Sequence, residues 1–189
     1  RLYINNGKGI FQKLQIDALT KNTQSGKAVA TLDFDKDGDI DILVGNRIVP
    51  QKYPLPAPSS FYKNQNGTLI NTTEQVAPDL KDFGIINDII ASDFDNDGWT
   101  DFIVVGEWTH IGIFKNNKGS FQNINKDGQL TDLKGWWFSA NETDINNDGL
   151  PDFILGNVGT NLKFKASKEK PFKVFASDFD DNGTPDIVL

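Results

Sequence analysis

The sequence contains no cysteine. A disulfide framework, a thiolate zinc site and a cysteine nucleophile are therefore all excluded. A single histidine, His110, argues against a histidine-rich metal centre and leaves Ser–His catalysis a single candidate base. Arginine is nearly missing, with only Arg1 and Arg47 beside the lysines. In a chain of 189 residues and formal net charge −7, that scarcity argues against nucleic-acid binding, because phosphate contacts need clustered cations. No apolar run approaches the roughly 18 residues a membrane-spanning helix requires. The opening Arg1-Leu2-Tyr3-Ile4-Asn5-Asn6 lacks the pattern of a signal peptide, so the chain reads as a processed protein or a piece of a longer one. Glutamate is also scarce. Glu74, Glu107, Glu142 and Glu169 are four of 26 acidic residues, and the other 22 are aspartate. Helix surfaces favour glutamate, whereas aspartate and asparagine favour turns. With 19 asparagines and 17 glycines, the composition is that of a turn-rich β protein.

What is present in their place is repetition. One loop occurs four times: Asp33-Phe-Asp35-Lys-Asp37-Gly38-Asp39-Ile-Asp41, Asp93-Phe-Asp95-Asn-Asp97-Gly98-Trp99-Thr-Asp101, Asp144-Ile-Asn146-Asn-Asp148-Gly149-Leu150-Pro-Asp152 and Asp178-Phe-Asp180-Asp-Asn182-Gly183-Thr184-Pro-Asp186. The common form is D-x-[DN]-x-[DN]-G-x-x-D. A second element alternates with it, apolar residues flanking an Asn/Gly turn, at Leu2–Phe11, Phe61–Leu69 and Ile113–Phe121. Each element is a hairpin signal. Two hairpins in a unit of about 50 residues make four strands, the size of a propeller blade. The expected fold is thus all-β, a β-propeller of four-stranded blades.

The four copies show which loop positions matter. Positions 1 and 9 are always Asp, positions 3 and 5 are Asp or Asn, and position 6 is always Gly, where a sharp turn calls for positive φ. Position 7 holds Asp39, Trp99, Leu150 or Thr184; side chains so different share no role, but each supplies a backbone carbonyl. Oxygen ligands at 1, 3, 5 and 9 with a carbonyl at 7 describe a Ca²⁺ shell. The predicted ligands are Asp33, Asp35, Asp37, Asp39 and Asp41; Asp93, Asp95, Asp97, Trp99 and Asp101; Asp144, Asn146, Asp148, Leu150 and Asp152; and Asp178, Asp180, Asn182, Thr184 and Asp186. Carboxylates about 4 Å apart repel by ~1–4 kcal/mol per pair, and about four structural Ca²⁺ ions would relieve that repulsion. Position 2 (Phe34, Phe94, Ile145, Phe179) reads as an apolar anchor. The loop is no EF-hand, since position 12, a bidentate Glu in that motif, is Val44, Val104, Leu155 or Leu189. Those residues lie in short apolar runs that read as strands covered on both faces.

At these residues the sequence resembles the FG-GAP/VCBS repeat family, the Ca²⁺-binding blades of integrin α-subunit-type β-propellers. The loop, the apolar strand after it and the following glycines Gly45, Gly106 and Gly156 match the repeat. The Leu2–Phe11 hairpin and the segment 155–167 look like bacterial repeat proteins of the ASPIC/UnbV group. The resemblance implies a ring of about seven blades, of which three to four are present. On that count residues 1–20 end one blade, 27–75 and 86–130 are full blades, 136–172 form a shortened blade, and 173–189 open another. Asn146 and Asn182 depart from the acidic pattern and imply weaker binding in loops three and four.

Other candidates are weaker. The basic tract Lys163, Lys165, Lys168 and Lys170 reads as a solvated edge whose lysines discourage strand pairing. Trp108, Trp136 and Trp137 read as packing in preference to a sugar-stacking platform, and Trp99, beside the loop glycine, as exposed. Glu107 and Glu142 would serve as a glycosidase pair only at a defined separation, which the sequence leaves open. His110 reads as a strand-end residue. The proline-rich segment 48–58 reads as a rigid loop or a partner contact. The expected function is a calcium-stabilised module of a secreted or cell-surface protein, non-catalytic, meeting a protein or carbohydrate ligand. The alternatives are a polysaccharide lyase or glycosidase, or a lectin, on the same scaffold.

Overall fold

Runs of β-branched and aromatic residues, punctuated by Asp-Gly and Asn-Gly turns, fold here as antiparallel hairpins. The computed structural model describes residues 1–125, 130–159, 162–167 and 169–189. Lys168 of the basic tract and Thr160 and Asn161 of the segment after Gly156 lie outside the described residues. The first hairpin is β1 (Leu2–Asn5) and β2 (Phe11–Leu14), followed by the one-turn helix α1 (Asp17–Thr20). A four-stranded meander follows: β3 (Gly26–Leu32), β4 (Asp41–Asn46), β5 (Ser60–Gln65) and β6 (Thr68–Asn71). Two further turns of helix, α2 (Thr73–Val76) and α3 (Pro78–Lys81), lead to a second set: β7 (Ile85–Ser92), β8 (Asp101–Thr109), β9 (Gly112–Asn116) and β10 (Phe121–Asn123). Two hairpins complete the order, β11 (Gly135–Thr143) with β12 (Asp152–Asn157), and β13 (Phe175–Ser177) with β14 (Asp186–Val188). The result is an all-β chain of several antiparallel sheets, the organisation of a β-propeller-like fold. Among the described residues no helix is long and apolar enough to cross a membrane.

The second set and the β11–β12 hairpin share hydrogen bonds. β8 is nine residues long and β9 pairs with it only at Phe102–Val104. The remaining edge accepts β11, which places Gly135 opposite Thr109 and Trp136 opposite Glu107. A bulge in β7 between Ile86 and Asp88 turns the Asp88 carboxylate toward β11, where Oδ2 accepts the Ala140 N–H at 3.0 Å.

The core lies between the sheets. Phe102 and Val104 of β8 join Leu43, Phe61 and Ile86 in one fully buried cluster, while Ile103 and Val105 join Ile111 and Ala140 in another. β8 is therefore apolar on both faces because both faces are covered. Aromatic rings fill the first cluster: Phe34 meets Phe61 edge-on at 5.0 Å, and Phe102 stacks on Phe114 at 4.5 Å. Ala77 and Leu80, at the joint of α2 and α3, cap it with no exposure. The sheets approach so closely that a Cβ on Gly45 would lie 2.5 Å from Ile86 Cγ2. That accounts for glycine at the end of the apolar strand.

Candidate metal centres

Each of the four Asp-rich loops joins an antiparallel pair: β3 to β4, β7 to β8, β11 to β12, and β13 to β14. All four fold through the same hydrogen bonds. The position-1 carboxylate accepts the backbone N–H of positions 5 and 6: Asp33 from Asp37 (3.2 Å) and Gly38 (3.0 Å), Asp93 from Asp97 (3.0 Å) and Gly98 (2.8 Å), Asp144 from Asp148 (3.1 Å) and Gly149 (2.9 Å), and Asp178 from Asn182 (2.9 Å) and Gly183 (2.7 Å). One position-5 oxygen accepts the N–H of position 7: Asp37 from Asp39, Asp97 from Trp99, Asp148 from Leu150 and Asn182 from Thr184. The position-9 carboxylates Asp41, Asp101, Asp152 and Asp186 each accept the N–H of position 2. Position 6 has φ between 84° and 89°, as glycine allows. Position 4 is left-handed as well, in Lys36, Asn96, Asn147 and Asp181. The sequence carries a signal for this, since Asn and Asp, which tolerate that region, occupy three of the four places.

Folding the loop in this way draws the carboxylates together. Asp33, Asp35 and Asp37 each present an oxygen within 4.8 Å of the other two, as do Asp93, Asp95 and Asp101, and Asp178, Asp180 and Asp186. The Asp35 Oδ1 atom is buried and accepts no hydrogen bond. Position 9 is the most deeply placed: Asp41 and Asp101 have no exposure, and each accepts a second N–H from the neighbouring hairpin, Asn64 at 2.8 Å and Asn116 at 2.7 Å. Burial pushes the Asp101 carboxyl up to about 6, with the Asp95 and Asp97 charges adding to it and the Asn116 and Phe94 amides opposing it. Burial raises Asp41 for the same reason. Asp37 moves the other way, held down first by the Asp39 amide and then by Lys63. A shell made only of oxygens, with an orphaned carboxylate oxygen and two carboxyls short of counter-charge, fits a hard divalent cation.

Two lysines stand at these loops. Lys63 of β5 pairs with Asp35 and with Asp37 (3.1 Å), and Lys115 of β9 pairs with Asp95 and with Asp97 (3.2 Å). Hydrogen bonds to Asp35 and then Asp37 push Lys63 up to about 12. Their sequence separations from the loops hid both lysines from a local reading. Adjacent loops also touch. Lys36 Nζ lies 4.2 Å above the Trp99 ring, and Asn96 Nδ2 donates to the Gly149 carbonyl at 3.3 Å. Trp99, expected to be exposed, is half-buried because Lys36 covers it. Asn116, 1 % exposed, spans loops one and two by donating to the Phe34 and Thr100 carbonyls.

The position-2 anchors are unequal. Phe34 is 2 % exposed and part of the core, but Ile145 and Phe179 are 69 % and 62 % exposed. Glu107 is buried and bound by Arg47 Nη2, Asn87 Nδ2 (3.3 Å) and Tyr53 OH (3.3 Å). Glu142 is exposed and lies six residues along β11 from Trp136, the residue opposite Glu107. That is about 20 Å of strand, well beyond the separation of ~5–9.5 Å that paired glycosidase carboxylates use. Trp108 and Trp136 pack edge to face at 5.1 Å, and Phe172 stacks on Trp108 at 5.7 Å. The proline-rich segment turns back on its own chain, since Tyr53 OH accepts the Trp108 Nε1–H at 2.6 Å. Comparison with known proteins matches residues 1–44 and 93–155, together more than half of the chain, to a family described as FG-GAP-like repeat. No curated protein matches the chain.

Proposed function

Since the chain belongs to the FG-GAP-like repeat family, we propose that it is a calcium-stabilised β-propeller module. It acts outside the cell and presents its loops to a protein or carbohydrate partner, without catalysis of its own. The observation that carries this reading is the shared loop geometry, in which four different sequences reach one hydrogen-bonded form and three of them converge three carboxylates. Repeats of this family commonly hold Ca²⁺. In each loop the side chains at positions 1, 3, 5 and 9 and the carbonyl at position 7 would hold the ion. The ion would neutralise carboxylates that otherwise repel one another within each loop. Residues 27–75 and 86–130 are taken as full blades and 136–172 as a shortened one, within a ring of about seven.

The energy involved is large enough to matter. At about 1 mM free Ca²⁺ and a Kd of about 0.1 mM, within the range of extracellular modules, each site adds ~1.4 kcal/mol. Four sites add ~5–6 kcal/mol against a typical domain stability of ~5–15 kcal/mol. Transferring the protein from millimolar Ca²⁺ to excess EDTA is expected to lower Tm by on the order of 10–20 °C. The double substitution Asp93→Ala with Asp95→Ala should remove one ion from the calorimetric stoichiometry. A melting curve indifferent to EDTA, or an unchanged stoichiometry, would reject the reading.

A further inference from the structure

We infer that Lys63 and Lys115 are tethered counter-cations that hold loops one and two closed when no metal is bound and compete with the metal for the same carboxylates. The inference rests on the calcium reading and adds residues outside the loops to it. Both lysines come from the third strand of their sheet, β5 and β9, directly before the asparagine whose backbone N–H binds the position-9 aspartate (Asn64 to Asp41, Asn116 to Asp101). Both place Nζ between the carboxylates of positions 3 and 5. The arrangement thus occurs twice, in one register, by the same contacts.

Charge counting supports a compensating role. At positions 1, 3, 5 and 9, loops one and two carry four carboxylates each, whereas Asn146 and Asn182 leave loops three and four with three. The ion pairs among the described residues bring an ammonium to loops one and two and to neither of the others. At those four positions, with the paired lysine included, every loop counts three negatives, and Asp181 at position 4 adds one more to loop four. In β1 the corresponding residue, before Asn5, is Ile4, so the third strand does not itself demand lysine there. Lys63 and Lys115 are 19 % and 30 % exposed along the side chain, sheltered enough for pairing to matter but still close to solvent into which the long stem can withdraw the ammonium.

Lys63→Met and Lys115→Met, which keep the apolar stem, test this in the full chain, singly and together. Lys81→Met serves as control, since Lys81 pairs with Glu74 away from the loops. In EDTA the lysine variants should melt several degrees below the parent, because the carboxylates lose the ammonium paired with them. In calcium titrations followed calorimetrically, two sites in the double variant should tighten by about three- to tenfold, the scale of one or two partly exposed ion pairs. The control should leave calcium affinity unchanged. If the parent binds no calcium, the metal reading fails, and the EDTA arm alone decides the lysines: an unaltered Tm overturns their role. If the parent binds calcium but the variants bind it equally or more weakly, the inference is overturned while the metal reading stands.

Discussion

At the end of β8 the His110 ring lies 5.1 Å from Phe83, and its Nε2 is buried without a hydrogen-bond partner. Burial, and secondarily the Lys134 charge, lower its pKa from 6.5. A histidine held neutral in the fold is protonated more readily when unfolded. Stability is therefore unaffected above the unfolded value and is lost as pH falls below 6.5 toward the lowered folded value. Asp101, raised to about 6, titrates in the same window with the opposite sign, so only a comparison isolates the histidine. Urea denaturation at pH 7.5 and 5.5 should show His110→Gln losing less stability on acidification than the parent. An identical loss in both would mean that His110 is solvated in the fold. The sequence marked His110 as a strand-end residue, and it is one. What it could not give is the neighbouring Phe83, which arrives from the turn before β7. The same limit applied to the metal loops. The ligand positions were legible because they are local and repeated four times. The Asp35–Lys63 pair spans 28 residues and Asp95–Lys115 spans 20, distances at which residue spacing carries no signal.

Among elements, the hairpins were readable because each turn announces itself: a glycine after an Asp/Asn-rich run in one kind, an Asn/Gly turn in the other. The joining of β11 to the free edge of β8 was not, because it depends on β9 pairing with only part of a longer neighbour. Nor were α2 and α3, whose single turns lack any helical period. Gly45 of β4 and Gly106 of β8 were noted as part of the repeat, and packing now supplies their reason. A methyl on Gly45 would press on Ile86 and Ile89 of the next sheet, whereas one on Gly106 would run into the Ile85 carbonyl oxygen within the same sheet. Side chains yield more readily than paired backbone. Gly45→Ala should therefore cost about 1–3 kcal/mol in chemical denaturation, the usual range for overpacking, and Gly106→Ala more than Gly45→Ala. Equal stability of both variants and the parent would show that the sheets stand further apart than described here.

On the scale of the whole chain, four nearly equal loops suggest four equal units, yet burial divides them sharply. Phe34 of loop one sits inside the core, while its counterpart Phe179 in loop four is 62 % exposed. β8 is paired by β7 and β9 and covered on both faces. In the outer hairpins Tyr3, Ile4 and Phe11 of β1 and β2 are at least half exposed, as are Phe175 and Val188 of β13 and β14. A repeat reveals what its units have in common; how well each is covered depends on its neighbours in space, and periodicity does not record that. Cooperativity should follow cover and not sequence similarity, because a sheet open on a face can fray without disturbing the rest. Amide hydrogen exchange in calcium-containing buffer should therefore give a gradient. Residues 102–105 should exchange slowest, by roughly a thousandfold or more relative to 2–14 and 175–188, the span between global and local opening. Protein in EDTA should lose protection in β11 and β12 before β4 and β5, since among the described residues no lysine pairs with loop three, whereas Lys63 pairs with loop one. Uniform exchange across the four units, or simultaneous loss in EDTA, would mean that the chain opens as a single cooperative body and that the unequal cover described here has no energetic weight.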